Sequence, residues 1–198
     1  MVGFSAYSGS FTNPGVQATS LSVYRCPSDT GSPTISTTDI CGYGAKTYGR
    51  SNYGAVEGSN INVLNPLFSD NGAMPAYDHV TYIINCRGFA SITDGLSNTF
   101  LVGEKRSAGV VNGLNIGFDC QWGAFNDTIR RVSGQCQPND PINFKSSIDA
   151  SEAFGSMHVG GAHFLMGDGA VRFVSENVSM QTYGNLAAIA DGNVVGEF

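Results

Sequence analysis

Charge is scarce in this chain. Only 13% of its 198 residues are Asp, Glu, Lys or Arg, about half the ~25% of an average soluble domain. Lysine occurs only as Lys46, Lys105 and Lys145. With a net charge of −6 and no basic stripe, the chain lacks the electrostatic footprint of a nucleic-acid binder. The Arg130-Arg131 pair reads as hairpin surface. Long apolar runs are missing too, and none approaches the ~18–20 residues a bilayer crossing requires. Chemical signatures are equally thin. There is no Cys-x-x-Cys, which weakens a zinc-ribbon or thioredoxin-type reading. There is no Gly-x-Ser-x-Gly and thus no nucleophile elbow. The Gly160-Gly161 stretch has no Lys-Ser/Thr after it, so it is not a phosphate loop.

What is present is glycine, at 26 positions, within a chain that is 41% hydrophobic and 11% aromatic. That composition is too apolar for disorder and suits a turn-rich β protein with an uncharged polar surface. The expected architecture is a β-rich α+β fold, an antiparallel sheet with long loops and a short C-terminal helix. One domain over 1–198 is expected, with 1–22 loosely packed.

Alternation marks residues 21–26 as a short strand ended by Pro27, since proline cannot donate to a central ladder. Residues 50–56, 80–85 and 99–104 also read as strands. Residues 117–136 read as a hairpin. Ser179 is a helix N-cap, with Met180, Tyr183, Leu186 and Ala187 or Ala190 at helical spacing toward the sheet. Val194-Val195 would be a last strand.

The sharpest signal lies in the tail, residues 154–198. Asp168-Gly169 sits between apolar half-strands, the pattern of a two-residue hairpin turn with positive φ at both central positions. Met166 would then face Val171 and Phe164 would face Phe173, giving one apolar face of Phe164, Met166, Val171 and Phe173. His158, His163 and Asp168 suggest a metal or acid–base site. Strand geometry separates Asp168 at the tip from His163 by roughly 16 Å, so no metal site is expected. His158 is instead expected to hydrogen-bond backbone ahead of Gly160 and Gly161, whose lack of a Cβ permits close approach or positive φ. Asp29 reads as the cap of a turn.

Three blocks carry a resemblance. They are Cys26-Pro27-Ser28-Asp29, the run from Ile92 to Glu104 with Asp94-Gly95-Leu96-Ser97-Asn98-Thr99, and His158 followed after nine residues by Asp168-Gly169. In this order they resemble a family of bacterial pilin-like proteins of unknown function, abundant in planctomycetes. Members usually open with a short basic leader, a processing site and a long apolar helix; MVGFSAYSGSFTNPGVQATS has none of these. The resemblance implies the globular head of a type IV pilin-like or pseudopilin protein. Such a head is a non-enzymatic structural subunit, extracellular or on the cell surface, whose partners are copies of itself or related pilin-like subunits. His158, Gly160, Gly161, Asp168 and Gly169 are then a structural motif. Related pseudopilins bind calcium, which gives Asp29, Asp94 and Asn98 a possible ligand role, but no Asp-x-Asp-x-Asp ladder is present and no cofactor is expected.

Five cysteines remain: Cys26, Cys41, Cys86, Cys120 and Cys136. In an exported protein the simplest pairing closes two local loops, Cys120–Cys136 and Cys26–Cys41, each contributing ~3 kcal/mol by loop entropy. Cys86 is the odd one out. An alternative to the filament subunit is a secreted surface module binding glycan or another ligand through the aromatic loops of 29–80, with Trp122 as a candidate contact. A third reading is a hydrolase in which carboxylates among Glu57, Asp70, Asp78, Glu104, Asp119 and Asp127 converge only in space.

Overall fold

The computed structural model describes residues 14–37, 46–59, 71–74, 87–106, 109–111, 114–116, 120–121, 133–135, 141–144 and 153–198. In chain order its elements are α1 (Pro14–Gln17), β1 (Thr34–Thr37), β2 (Lys46–Ser51), β3 (Tyr53–Gly58), β4 (Phe100–Glu104), β5 (Gly109–Val111), β6 (Leu114–Ile116), β7 (Cys120–Gln121), β8 (Ser133–Gln135), β9 (Gly161–Met166), β10 (Val171–Ser175) and α2 (Met180–Ala187). The main sheet runs β10-β9-β4-β3-β8. Its first four strands are antiparallel neighbours, and β8 joins β3 in parallel. β1, β2 and β7 form a second sheet, and β5 and β6 pair alone. The expected small α+β fold with an antiparallel sheet is therefore present. Among the described residues, no helix is long and apolar enough to cross a membrane.

Helix α2 covers one face of the main sheet. Ser179 caps it, its Oγ accepting the Thr182 N–H at 3.0 Å. Tyr183, Leu186 and Ala187, at the spacing read from sequence, are fully buried. They meet Val56, Phe100, Ala162, Phe164, Met166 and Val174 from the strands. Phe100 stacks on Phe164 with ring centres 4.2 Å apart, and Phe154 meets Phe164 edge-on at 5.3 Å. A Cβ on Gly103 would lie 2.4 Å from Phe154 and 2.6 Å from Phe164. Both rings are fully buried and cannot retreat. Gly103→Ala is therefore expected to destabilise by about 1–3 kcal/mol through overpacking, read as a lower urea midpoint; an unchanged midpoint would refute the clash.

The C-terminal hairpin exists with a register one residue from that expected. Leu165 faces Val171, Phe164 faces Arg172 and Ala162 faces Val174. The loop is three residues, Gly167 to Gly169: the Met166 N–H donates to Ala170 O, and the Gly169 N–H to Met166 O. Gly169 alone takes positive φ, +88°, as in a turn closed by a left-handed residue rather than the two-residue type. Asp168 Oδ1 accepts the Ala170 N–H at 2.9 Å, an Asx turn. Because side chains alternate, this slip moves a strand's set to the other face. Val171 and Phe173 are thus exposed, while Val174 takes the core position. Docking of the tip supports the longer loop. The Gly167 N–H donates to Thr99 O and the Asp168 N–H to Leu96 O, so the third block sits on the second.

Other expectations are corrected. Residues 22–24 form a 3-10 turn instead of a strand. The strand expected over 50–56 is broken at Asn52, dividing β2 from β3. No strand forms at Val194-Val195. The two ends of the expected 117–136 hairpin pair elsewhere, β7 with β2 and β8 with β3. The strand expected at 80–85 lies outside the described residues.

Candidate functional site

On the sheet face away from α2, three distant stretches converge. Straight alternation along β4 would place Phe100 and Glu104 on one face. A bulge between Phe100 and Val102 shifts the register, so that Phe100 and Gly103 point into the core and Glu104 points out the other side. Bulges commonly re-aim a side chain in this way. Glu104 is nonetheless buried, because the Cys26 and His158 segments cover it.

Each covering segment is tied down by backbone hydrogen bonds. Asn52 Oδ1 accepts the Cys26 N–H at 3.0 Å, while Asn52 Nδ2 donates to Asp29 Oδ2 at 2.6 Å and to Lys105 O at 2.9 Å. Asp29 Oδ1 accepts the Gly31 N–H at 2.8 Å, the turn cap expected. The Arg25 guanidinium donates to Gly31 O at 2.8 Å. On the other side, Ser156 Oγ accepts the His158 N–H at 3.0 Å and donates to Gly161 O at 2.7 Å. Ser156 N–H donates to Asn143 Oδ1, and Asn143 Nδ2 to Glu176 Oε2. Gly160 takes φ +85°, and a Cβ on Gly161 would strike Val174 O. Both glycines thus serve the roles expected of them.

The imidazole of His158 corrects the sequence expectation. Only its backbone N–H meets a nearby loop group. The ring Nε2 lies 3.5 Å from Cys26 Sγ and 3.4 Å from Glu104 Oε1. His163, on the outer face as expected, joins from β9. Its backbone N–H donates to Glu104 Oε2 at 2.7 Å, and its Nδ1 lies 3.1 Å from the same oxygen. The two imidazoles meet edge to face with centres 5.0 Å apart. Tyr53 pairs with Glu104 across β3 and β4. Burial, then the charges of Cys26 and Glu104, push its phenol above the usual 10.0.

Ligand-capable atoms of Cys26, Glu104 and His158 all lie within 4.8 Å of one another. This group differs from the His158, His163 and Asp168 set that the sequence suggests, since it contains neither His163 nor Asp168. Nor do the calcium candidates converge. Asp94 spends its oxygens on the Asp191 and Gly192 N–H groups, and Asn98 donates to Asp94 O. Cys26 is a buried free thiol, which corrects the Cys26–Cys41 disulfide. Cys41, Cys86 and Cys136 lie outside the described residues, and Cys120 is described only through its backbone. Of the six carboxylates that might have converged, Asp70, Asp78, Asp119 and Asp127 lie outside the described residues, as does Trp122.

A cysteine, a histidine and a carboxylate also suggest a nucleophilic relay. In such a relay the acid orients the base through one ring nitrogen while the other faces the nucleophile. Here Sγ and Oε1 both face Nε2, so the contacts seen do not form that relay.

The comparison with family models matches residues 1–181 to the family described as "Protein of unknown function (DUF1559)". The chain belongs to this family. Cys26, Glu104 and His158 come one from each of the three sequence blocks, and the fold draws them together. The family's description names no activity. No curated protein matches the chain, and no solved structure matches it. Sequence reading missed Glu104 and Cys26 as partners of His158. The available signal was that each block contains at least one residue able to bind a metal.

Proposed function

We propose that this DUF1559 domain is the globular head of a pilin-like structural subunit, displayed at or beyond the cell surface, with no turnover of its own. One observation carries the reading: in each of the three blocks an aspartate is spent on holding chain segments together, as is Ser156 beside the third. Asp29, Asp94, Ser156 and Asp168 each bond backbone N–H groups. Such interlocking suits a head that must keep its shape while neighbours pack against it. Apolar side chains stand exposed on the rim, among them Met157, Val159, Val171 and Phe173. Contacts between such heads would be heterologous, the kind that generates open helical assemblies.

Immunogold electron microscopy of producing cells, with antibodies against this chain, tests the reading. Label should follow filaments or surface arrays. Label confined to the cell interior, or a surface protein that stays monomeric at every concentration, would refute it.

A further inference from the structure

We propose that Cys26, Glu104 and His158 form a binding site for a single transition-metal ion of the zinc class. The ligands are the Cys26 thiolate, Glu104 Oε1 and His158 Nε2.

The Cys26 Sγ···His158 Nε2 distance suits a sulfur hydrogen bond as well as a shared metal, and the contact of Nε2 with Glu104 favours the metal. The Nε2···Oε1 separation of 3.4 Å is longer than the ~2.7–3.2 Å of an N–H···O bond. A ring nitrogen also has one site in its plane, either a proton or a lone pair, yet Nε2 faces both sulfur and oxygen. Metal geometry accounts for both contacts of Nε2. With ~2.3 Å for Zn–S, ~2.05 Å for Zn–N and ~2.1 Å for Zn–O, a tetrahedral ion sets S···N at about 3.6 Å and N···O at about 3.4 Å. The observed edges are 3.5 Å and 3.4 Å. These two separations match those of ligands around a common centre, and the third pair, Sγ and Oε1, lies within 4.8 Å.

The surroundings fit the same assignment. Glu104 Oε2 is held by the backbone N–H and Nδ1 of His163, leaving Oε1 turned toward His158. Partners of this kind orient ligands and commonly alter metal affinity by about 10–100-fold. Cys26 is fixed through its own N–H by Asn52, and His158 through its N–H by Ser156. The His158 side chain is 30% exposed against 6% for Glu104, so the site opens on the imidazole side. The fourth position of a tetrahedral ion falls to water or an incoming donor. A mixed sulfur, nitrogen and oxygen set favours zinc over calcium or magnesium, which take oxygen alone. Binding converts the Cys26 thiol to thiolate and releases its proton to solvent.

The test uses the full chain, reduced and stripped of metal, titrated with Co²⁺ as a spectroscopic probe and then with Zn²⁺. One equivalent of Co²⁺ should give a thiolate-to-cobalt charge-transfer band and the intense visible bands of a four-coordinate ion. Stoichiometric Zn²⁺ should bleach both. Cys26→Ser should abolish the charge-transfer band, whereas Cys41→Ser should leave it intact. His158→Ala and Glu104→Gln should weaken binding by at least about a hundredfold, and His163→Ala by about ten- to a hundredfold. As a check independent of variant folding, Zn²⁺ should slow alkylation of Cys26 in the unaltered chain, read by peptide mass mapping. A charge-transfer band surviving in Cys26→Ser, or Cys26 alkylation indifferent to saturating Zn²⁺, would overturn the assignment.

Discussion

Phe164→Ala should remove about 3–5 kcal/mol of stability, a large part of the ~5–15 kcal/mol available to a folded domain. Phe164 is fully buried and stands where three aromatic contacts meet. It stacks on Phe100 and meets Phe154 and Tyr183 edge-on, with ring centres 4.2, 5.3 and 6.1 Å away. Through these rings it joins β4, the 153–156 segment and α2. Truncation forfeits the transfer free energy of the ring and leaves a cavity that rigid neighbours cannot fill. Urea denaturation should show a lower midpoint with an unchanged slope. Hydrogen exchange should show earlier opening of α2, whose Tyr183 would lose its edge-on contact with this ring. A loss below about 1 kcal/mol would mean that Phe164 does not hold this position.

Asn52→Ala should cost about 3 kcal/mol or more by a different route. Asn52 is 1% exposed, and its amide serves Cys26 N–H, Asp29 Oδ2 and Lys105 O together. Alanine leaves two buried backbone groups and a carboxylate without these bonds, and an unmet buried group costs about 1–3 kcal/mol. The effect should reach the site, because Cys26 hangs from Asn52 Oδ1. Cys26 alkylation should therefore quicken in Asn52→Ala well before global unfolding. Asn52→Asp offers a test with a sign. It sets a second carboxylate against Asp29, and each charge raises the pKa of the other group. The folded state then binds the extra proton, so the added loss is small in acid and grows toward neutral pH. A deficit that shrank as pH rose would show that the two carboxylates do not face each other.

These two residues mark what the sequence does and does not disclose. Phe164 is legible as core because it belongs to a local pattern: a hairpin signal, an alternating strand and a capped helix, all within the last 45 residues. The hairpin register was not legible. Gly-Asp-Gly supports either a two- or a three-residue loop, and docking on Leu96 and Thr99 supports the longer one. Asn52 falls inside a stretch that reads as one continuous strand, and nothing local marks it as the break between β2 and β3. The site was hidden for two physical reasons. Cys26 and His158 are 132 positions apart, beyond any periodicity. Glu104 also shares the strand parity of Phe100 until the bulge reverses it, and TFLVGE contains no glycine or proline at the point of reversal. Reading the three blocks as separate structural tags obscured that each brings a ligand-capable side chain to the same place.

The sheet order β10-β9-β4-β3-β8 has a consequence for biosynthesis. β9 lies between β4 and the edge, yet it leaves the ribosome long after β4. Until it arrives, β4 has an open flank, and Phe100 lacks both the ring it stacks on and the cover of α2. The nascent chain must carry that sticky, half-made ribbon until translation is nearly complete. Delayed closure of this kind slows folding and exposes chains to mutual aggregation. A holdase that shields the growing polypeptide would therefore matter more here than for a domain whose neighbouring strands emerge in succession.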